Sequence, residues 1–179
     1  MTTQFWSAGG PVAVFLIGVL ALAVWFDVRE RRIPNWITAG GLVLAIVARA
    51  LLGPEAVASG LLGGALGLAL GLLLFLSGAM GAGDGKLLAT IGGFLGLETF
   101  LYCLPLVGGF GGVLALGMSL HGGTLFATWF RFQELLFYVV TFGRIGERRT
   151  LAMPGAVTVP YGVAVAAGAL TAWLGWGLA

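Results

Sequence analysis

Two aspartates sit where apolar runs meet polar loops. Asp27 closes the run that begins near residue 10, and Asp84, within Gly81-Ala82-Gly83-Asp84-Gly85-Lys86, opens another. Each alone has an ordinary reading. A carboxylate at a helix start can cap backbone N–H groups, and Asp27 could be an interfacial residue paired with Arg31. The pair suggests more, because acids at membrane depth are costly and tend to be functional. Two carboxylates sharing one proton suffice for peptide hydrolysis without metal, thiol or imidazole. The ionised one takes a proton from water, the protonated one polarises the scissile carbonyl, and the roles exchange as the amine leaves. Such a pair should titrate as a unit. Gly81 and Gly83 remove side chains just before Asp84, which leaves room for an extended peptide to approach.

The elements that would carry these acids are membrane helices. The chain has 179 residues, of which 59% are apolar and 9% charged, with a mean hydropathy of +1.05. A soluble domain carries about 25% charged residues, so there is too little polar surface here for a soluble globule. Six stretches approach the roughly 17–20 apolar residues that cross a bilayer: 10–26, 36–53, 57–78, 86–102, 103–120 and 157–178. The fourth and fifth are nearly continuous, and Pro105 with its neighbouring glycines places a tight reversal between Glu98 and Pro105. The first run lacks a basic start and a small-residue cleavage site, and so reads as a retained span.

Basic residues set the orientation. Arg29, Arg31, Arg32, Lys86, Arg131, Arg144, Arg148 and Arg149 all fall on one face of a six-span arrangement. That face is then cytoplasmic, with both termini outside and only Arg49 on the wrong side, where it could snorkel outward. Trp25 and Trp36 bracket the inner loop, and Trp6, Trp173 and Trp176 mark outer ends. Gly60, Gly63, Gly64, Gly67 and Gly71 give the third span overlapping small-xxx-small pairs. These are expected to pack on a neighbouring helix of the same chain, with a dimer face as the alternative. Residues 124–143 form an amphipathic stripe, with Arg131 and Glu134 on its polar side. That suits a helix lying in the cytoplasmic interface, followed by arginines that could meet lipid headgroups.

The remaining chemistry is sparse. Cys103 and His121 are the only cysteine and histidine, so no thiolate or multi-histidine metal site is expected, and no cofactor. The small net charge of +2 gives no ground for a nucleic-acid partner. The fold expected is an all-α integral membrane protein with about six transmembrane helices. An amphipathic interfacial helix lies between the fifth and sixth, and residues 1–179 form one polytopic membrane domain.

Three motifs carry a family resemblance. Asp27-Val28-Arg29-Glu30-Arg31-Arg32-Ile33-Pro34-Asn35 resembles the first-aspartate motif of the type IV prepilin peptidases, in which an aspartate precedes a basic loop and Ile-Pro-Asn. Gly81 to Lys86 is similar to that family's GxGD-x-K motif, and Val159-Pro160-Tyr161-Gly162-Val163-Ala164 resembles its final-span signature. The resemblance implies a bacterial inner-membrane aspartic endopeptidase that removes the short basic leader from prepilins or pseudopilins at the cytoplasmic face. It implies that Asp27 and Asp84 are the catalytic pair. Gly81, Gly83 and Lys86 support the second motif, and Pro34 and Asn35 set the turn into the second span.

The long members of that family also carry a cytoplasmic domain with paired CxxC motifs and N-methylate the new pilin terminus. One cysteine and a short loop leave no place for that domain. The chain therefore resembles the short, peptidase-only form associated with tight-adherence pili. A presenilin- or signal-peptide-peptidase-like GxGD protease would share the chemistry but should carry a PAL motif near its end, where this chain has Pro160-Tyr161-Gly162. A proton-coupled transporter would favour acids nearer mid-membrane and an internal repeat. An inactive pilus-assembly scaffold would not need both aspartates.

Overall fold

The computed structural model describes residues 2–121 and 161–178, and all regular structure among them is helical. The helices are α1 (Thr2–Glu30), α2 (Asn35–Ala50), α3 (Pro54–Leu76), α4 (Ala82–His121) and α5 (Tyr161–Leu178). Three of the described helical stretches, Val12–Glu30, Pro54–Leu76 and Ala82–His121, are long and apolar enough to cross a membrane. Asn35–Ala50 and Tyr161–Gly175 are apolar but shorter. The expected interfacial helix over 124–143 and the arginines after it lie outside the described residues, as does the start of the last apolar stretch, 157–160.

α4 is broken at Gly96, which takes φ 74° and ψ 171°. That backbone region is essentially reserved for glycine. The reversal expected between Glu98 and Pro105 is therefore earlier, and Pro105 lies inside the second limb of α4. Membrane helices accommodate an internal proline where neighbours satisfy the freed backbone groups. The break is satisfied locally. Arg49 donates to Phe94 O at 2.8 Å and Ala56 O at 2.6 Å, and Ser59 Oγ accepts the Leu97 N–H at 3.0 Å. Arg49 does not snorkel outward. Its guanidinium turns in to cap carbonyls at the break.

The two limbs run in opposite directions. Along the first, Gly85, Ala89 and Gly93 meet Gly71, Gly64 and Gly60 of α3 in descending order. Along the second, Val107 meets Gly168, and Gly111 meets Tyr161. Asp84 also acts electrostatically on Tyr161. The second limb thus returns to the end of the bundle from which the first set out.

The first limb is the centre of the protein. Every residue from Leu87 to Gly96 is buried, and α2, α3 and α5 all pack against α4. Lipid tails are as apolar as leucine, so close packing must do what the hydrophobic effect does in water. The glycines of α3 permit this, since a Cβ on Gly63 or Gly92 would overlap the other's carbonyl. The expectation that these glycines face a helix of the same chain holds, because all five are buried against the first limb.

Candidate active site

Asp27 occupies the last turn of α1, where the chain must stop being helical. Arg31 adopts φ 53° and its N–H returns to Asp27 O at 3.1 Å, the left-handed closure that commonly ends a helix. The Asp27 side chain is only 6% exposed. It is not merely an interfacial acid paired with Arg31, although Arg31 does act on it electrostatically. Its Oδ2 accepts the Gly162 N–H at 2.8 Å. Gly162 lies in α5, so Asp27 accepts a backbone N–H from another helix.

Asp84 lies in the first turn of α4, but the cap position belongs to its neighbour. The Gly85 N–H bonds to Gly81 O at 3.1 Å, so Gly81 is the cap and Asp84 the third helical residue. The Asp84 carboxylate reaches back to the Gly81 N–H, as the acidic residue of a capping box does. Asp84 is half-buried, and Asp27 and Asp84 are close enough to interact electrostatically.

The loops around the acids are tied together. Pro34 is the extended cap residue of α2, and Ile33 packs on Gly83, where a Cβ would lie 3.3 Å from that of Ile33. Lys86 Nζ donates to Asn35 Oδ1 at 2.8 Å, and Thr90 donates to Thr38 O at 2.8 Å. Lys86 and Asn35 are brought together, but away from the acids, because two positions along a helix turn a side chain through roughly 200°. They close one end of an apolar groove of about 680 Å³ between α2 and α3, lined by Leu42, Ile46, Leu61 and Leu68.

Of the residues singled out from sequence, Asp27, Asp84 and Gly81 meet at the acid pair. Gly83, Pro34, Asn35 and Lys86 form the scaffold beside it. Sequence reasoning missed Tyr161 and Gly162 as site residues. The signal was present as the Pro160-Tyr161-Gly162 motif, with nothing local to say which helix it touches.

Aromatic residues mark this end of the bundle. Trp25 and Trp36 are both exposed, Trp36 stands edge-on to Phe26 at 5.9 Å, and Arg29 lies 4.9 Å over the Trp25 ring. Exposed tryptophans with cations beside them suit a membrane–water interface. Fold and site together define a helical membrane protein with a pair of interacting carboxylates at one end.

The chain belongs to the type IV leader peptidase family, whose model matches residues 14–116. That makes it a peptidase and implies a prepilin-type substrate. The matched stretch contains Asp27 and Asp84 and stops short of Tyr161. Comparison with curated proteins and with solved structures finds no match.

Proposed function

We propose that this protein is an aspartic endopeptidase that cleaves the basic leader from a prepilin or pseudopilin, with Asp27 and Asp84 as its catalytic pair. The observation that carries this reading is that the two carboxylates lie within electrostatic reach of each other. Each is anchored by a backbone N–H, of Gly162 for Asp27 and of Gly81 for Asp84. Such anchoring fixes acids in the geometry that general acid–base chemistry needs. One carboxylate deprotonates water and the other protonates the scissile carbonyl. The tetrahedral intermediate then collapses as the proton passes to the departing amine.

The reading extends to six crossings, α1, α2, α3, the two limbs of α4, and α5. The acid end faces the cytoplasm at the bacterial inner membrane, because Arg29, Arg31, Arg32 and Lys86 gather there. The enzyme cleaves without methylating the new terminus, in the manner of the short form that serves tight-adherence pili. Its exposed apolar helix faces, with Val43, Leu61, Leu72 and Val113, and its basic end also meet membrane lipids.

The test is co-expression with a prepilin, followed by mapping of the mature N-terminus. Asp27→Asn and Asp84→Asn should each accumulate uncleaved substrate at wild-type enzyme abundance. Leader release at a near-normal rate by either variant would sink the two-aspartate mechanism.

A further inference from the structure

One polar group beside the acids has no assigned task. Tyr161 opens α5, and its side chain is half-buried. Among the described residues its hydroxyl makes no hydrogen bond, although buried tyrosine O–H groups usually find a partner. The position of Tyr161 is tightly defined. Its neighbour Gly162 is held on Asp27 at 2.8 Å, and its hydroxyl oxygen lies where a Cβ on Gly111 would approach to 3.0 Å. Gly111 thus leaves the room that the hydroxyl occupies. Tyr161 and Asp84 are also within electrostatic reach of each other.

As water adds to a peptide bond cleaved by two carboxylates, the carbonyl oxygen gains negative charge ahead of the proton it receives from the acid. The protonated acid gives its proton to that oxygen, while the other takes one from water and passes it to the leaving amine. A neutral donor that keeps its proton throughout would add stabilisation where negative charge develops. Resting on the peptidase reading above, we propose that Tyr161 is a further catalytic residue, its O–H donating a hydrogen bond to the scissile carbonyl oxygen as negative charge develops there in the transition state. No proton is transferred from the phenol. The hydrogen bond strengthens as the C–O bond loses double-bond character and weakens again when the amine departs.

The test uses the full chain in liposomes, with a prepilin-type peptide bearing a basic leader and an apolar helix. Tyr161→Phe keeps the ring and removes only the donor. It should lower kcat by about 100-fold, leaving KM within about threefold and thermal stability unchanged. It should also weaken binding of the same peptide with a hydroxyethylene group at the scissile bond, more than it weakens binding of the substrate.

Gly111→Ala keeps the hydroxyl but crowds it, and should lower kcat in the same sense. A Tyr161→Phe enzyme with normal kcat, or one changed in KM alone, overturns the inference. Should that variant fail to fold, a wild-type kcat for Gly111→Ala overturns it instead. Asp27→Asn and Asp84→Asn run alongside. If they are inactive while Tyr161→Phe is normal, only the role of Tyr161 falls. If they cleave, the peptidase mechanism falls with it.

Discussion

The backbone N–H of Gly162 donates to Oδ2 of Asp27 at 2.8 Å, joining positions 135 residues apart. This bond sets the orientation of a buried carboxylate by means of the backbone of another helix.

Gly162→Ala tests the dependence of the site on this contact. An added methyl would lie 2.8 Å from Oδ2 and 3.1 Å from Cβ of Asp27, so the carboxylate or the start of α5 must move. Displacing a reacting group by about 1 Å can cost on the order of 100-fold in rate. We expect a loss of that size in cleavage of a prepilin-type peptide, with the variant still folded and inserted at wild-type abundance. Normal turnover would show that the Gly162 bond does not position the acid.

The pair should also impose a characteristic pH dependence. If one proton must reside on the two carboxylates together, kcat falls at low pH as both become protonated and falls at high pH as both ionise. The two limbs of the resulting bell belong to the pair and not to either residue. Measured with a substrate free of titratable groups near the cleavage site, a single-limbed profile would argue against a shared proton.

The acids were legible in the sequence because their surroundings are local. Gly81-Ala82-Gly83-Asp84 and Asp27 with Ile33-Pro34-Asn35 are contiguous signals on apolar boundaries. The glycines of α3 were legible too, since their spacing alone places them on one face. The break in α4 was not. Many glycines and one proline lie between Gly85 and Gly117, and the sequence does not show which of them takes a positive φ. Pro105 looked like the stop, yet the groups that resolve a reversal, Arg49 and Ser59, come from α2 and α3 and serve Gly96. Gly162 and Tyr161 stayed unassigned for the same reason: their partners Asp27 and Gly111 are remote in sequence.

Lys86 and Asn35 should act as one unit. Their 2.8 Å hydrogen bond ties the first residue of α2 to α4 two positions after Asp84, and so relates the two acids indirectly. Lys86→Ala and Asn35→Ala should each lower cleavage several-fold, and the double variant should be little worse than either single one. Groups sharing one interaction are non-additive by about 0.5–3 kcal/mol in such cycles. Full additivity in cleavage rates would mean that the two side chains have separate roles.

The far end of the bundle gives the sharpest contrast between sequence expectation and structure. If α4 turns at Gly96, then Gly96→Ala must force a side chain onto φ 74°, a conformation costing about 1–3 kcal/mol. It would also drive a methyl to 2.5 Å from Arg49 Nη2 and 2.6 Å from Ser59 Oγ. The caps on Phe94 and Leu97 would be lost together, releasing the hairpin that carries Asp84 at its start. If the turn were near Pro105, the cost should fall there instead. Pro105 is helical and interior, so Pro105→Ala restores an N–H without requiring a new backbone shape, and Gly109 has open space around it. Unfolding in detergent micelles should therefore show Gly96→Ala destabilised by at least about 2 kcal/mol, with Pro105→Ala and Gly109→Ala close to wild type. The reverse order, with Pro105→Ala the damaging change, would move the reversal back to where the sequence alone suggested it.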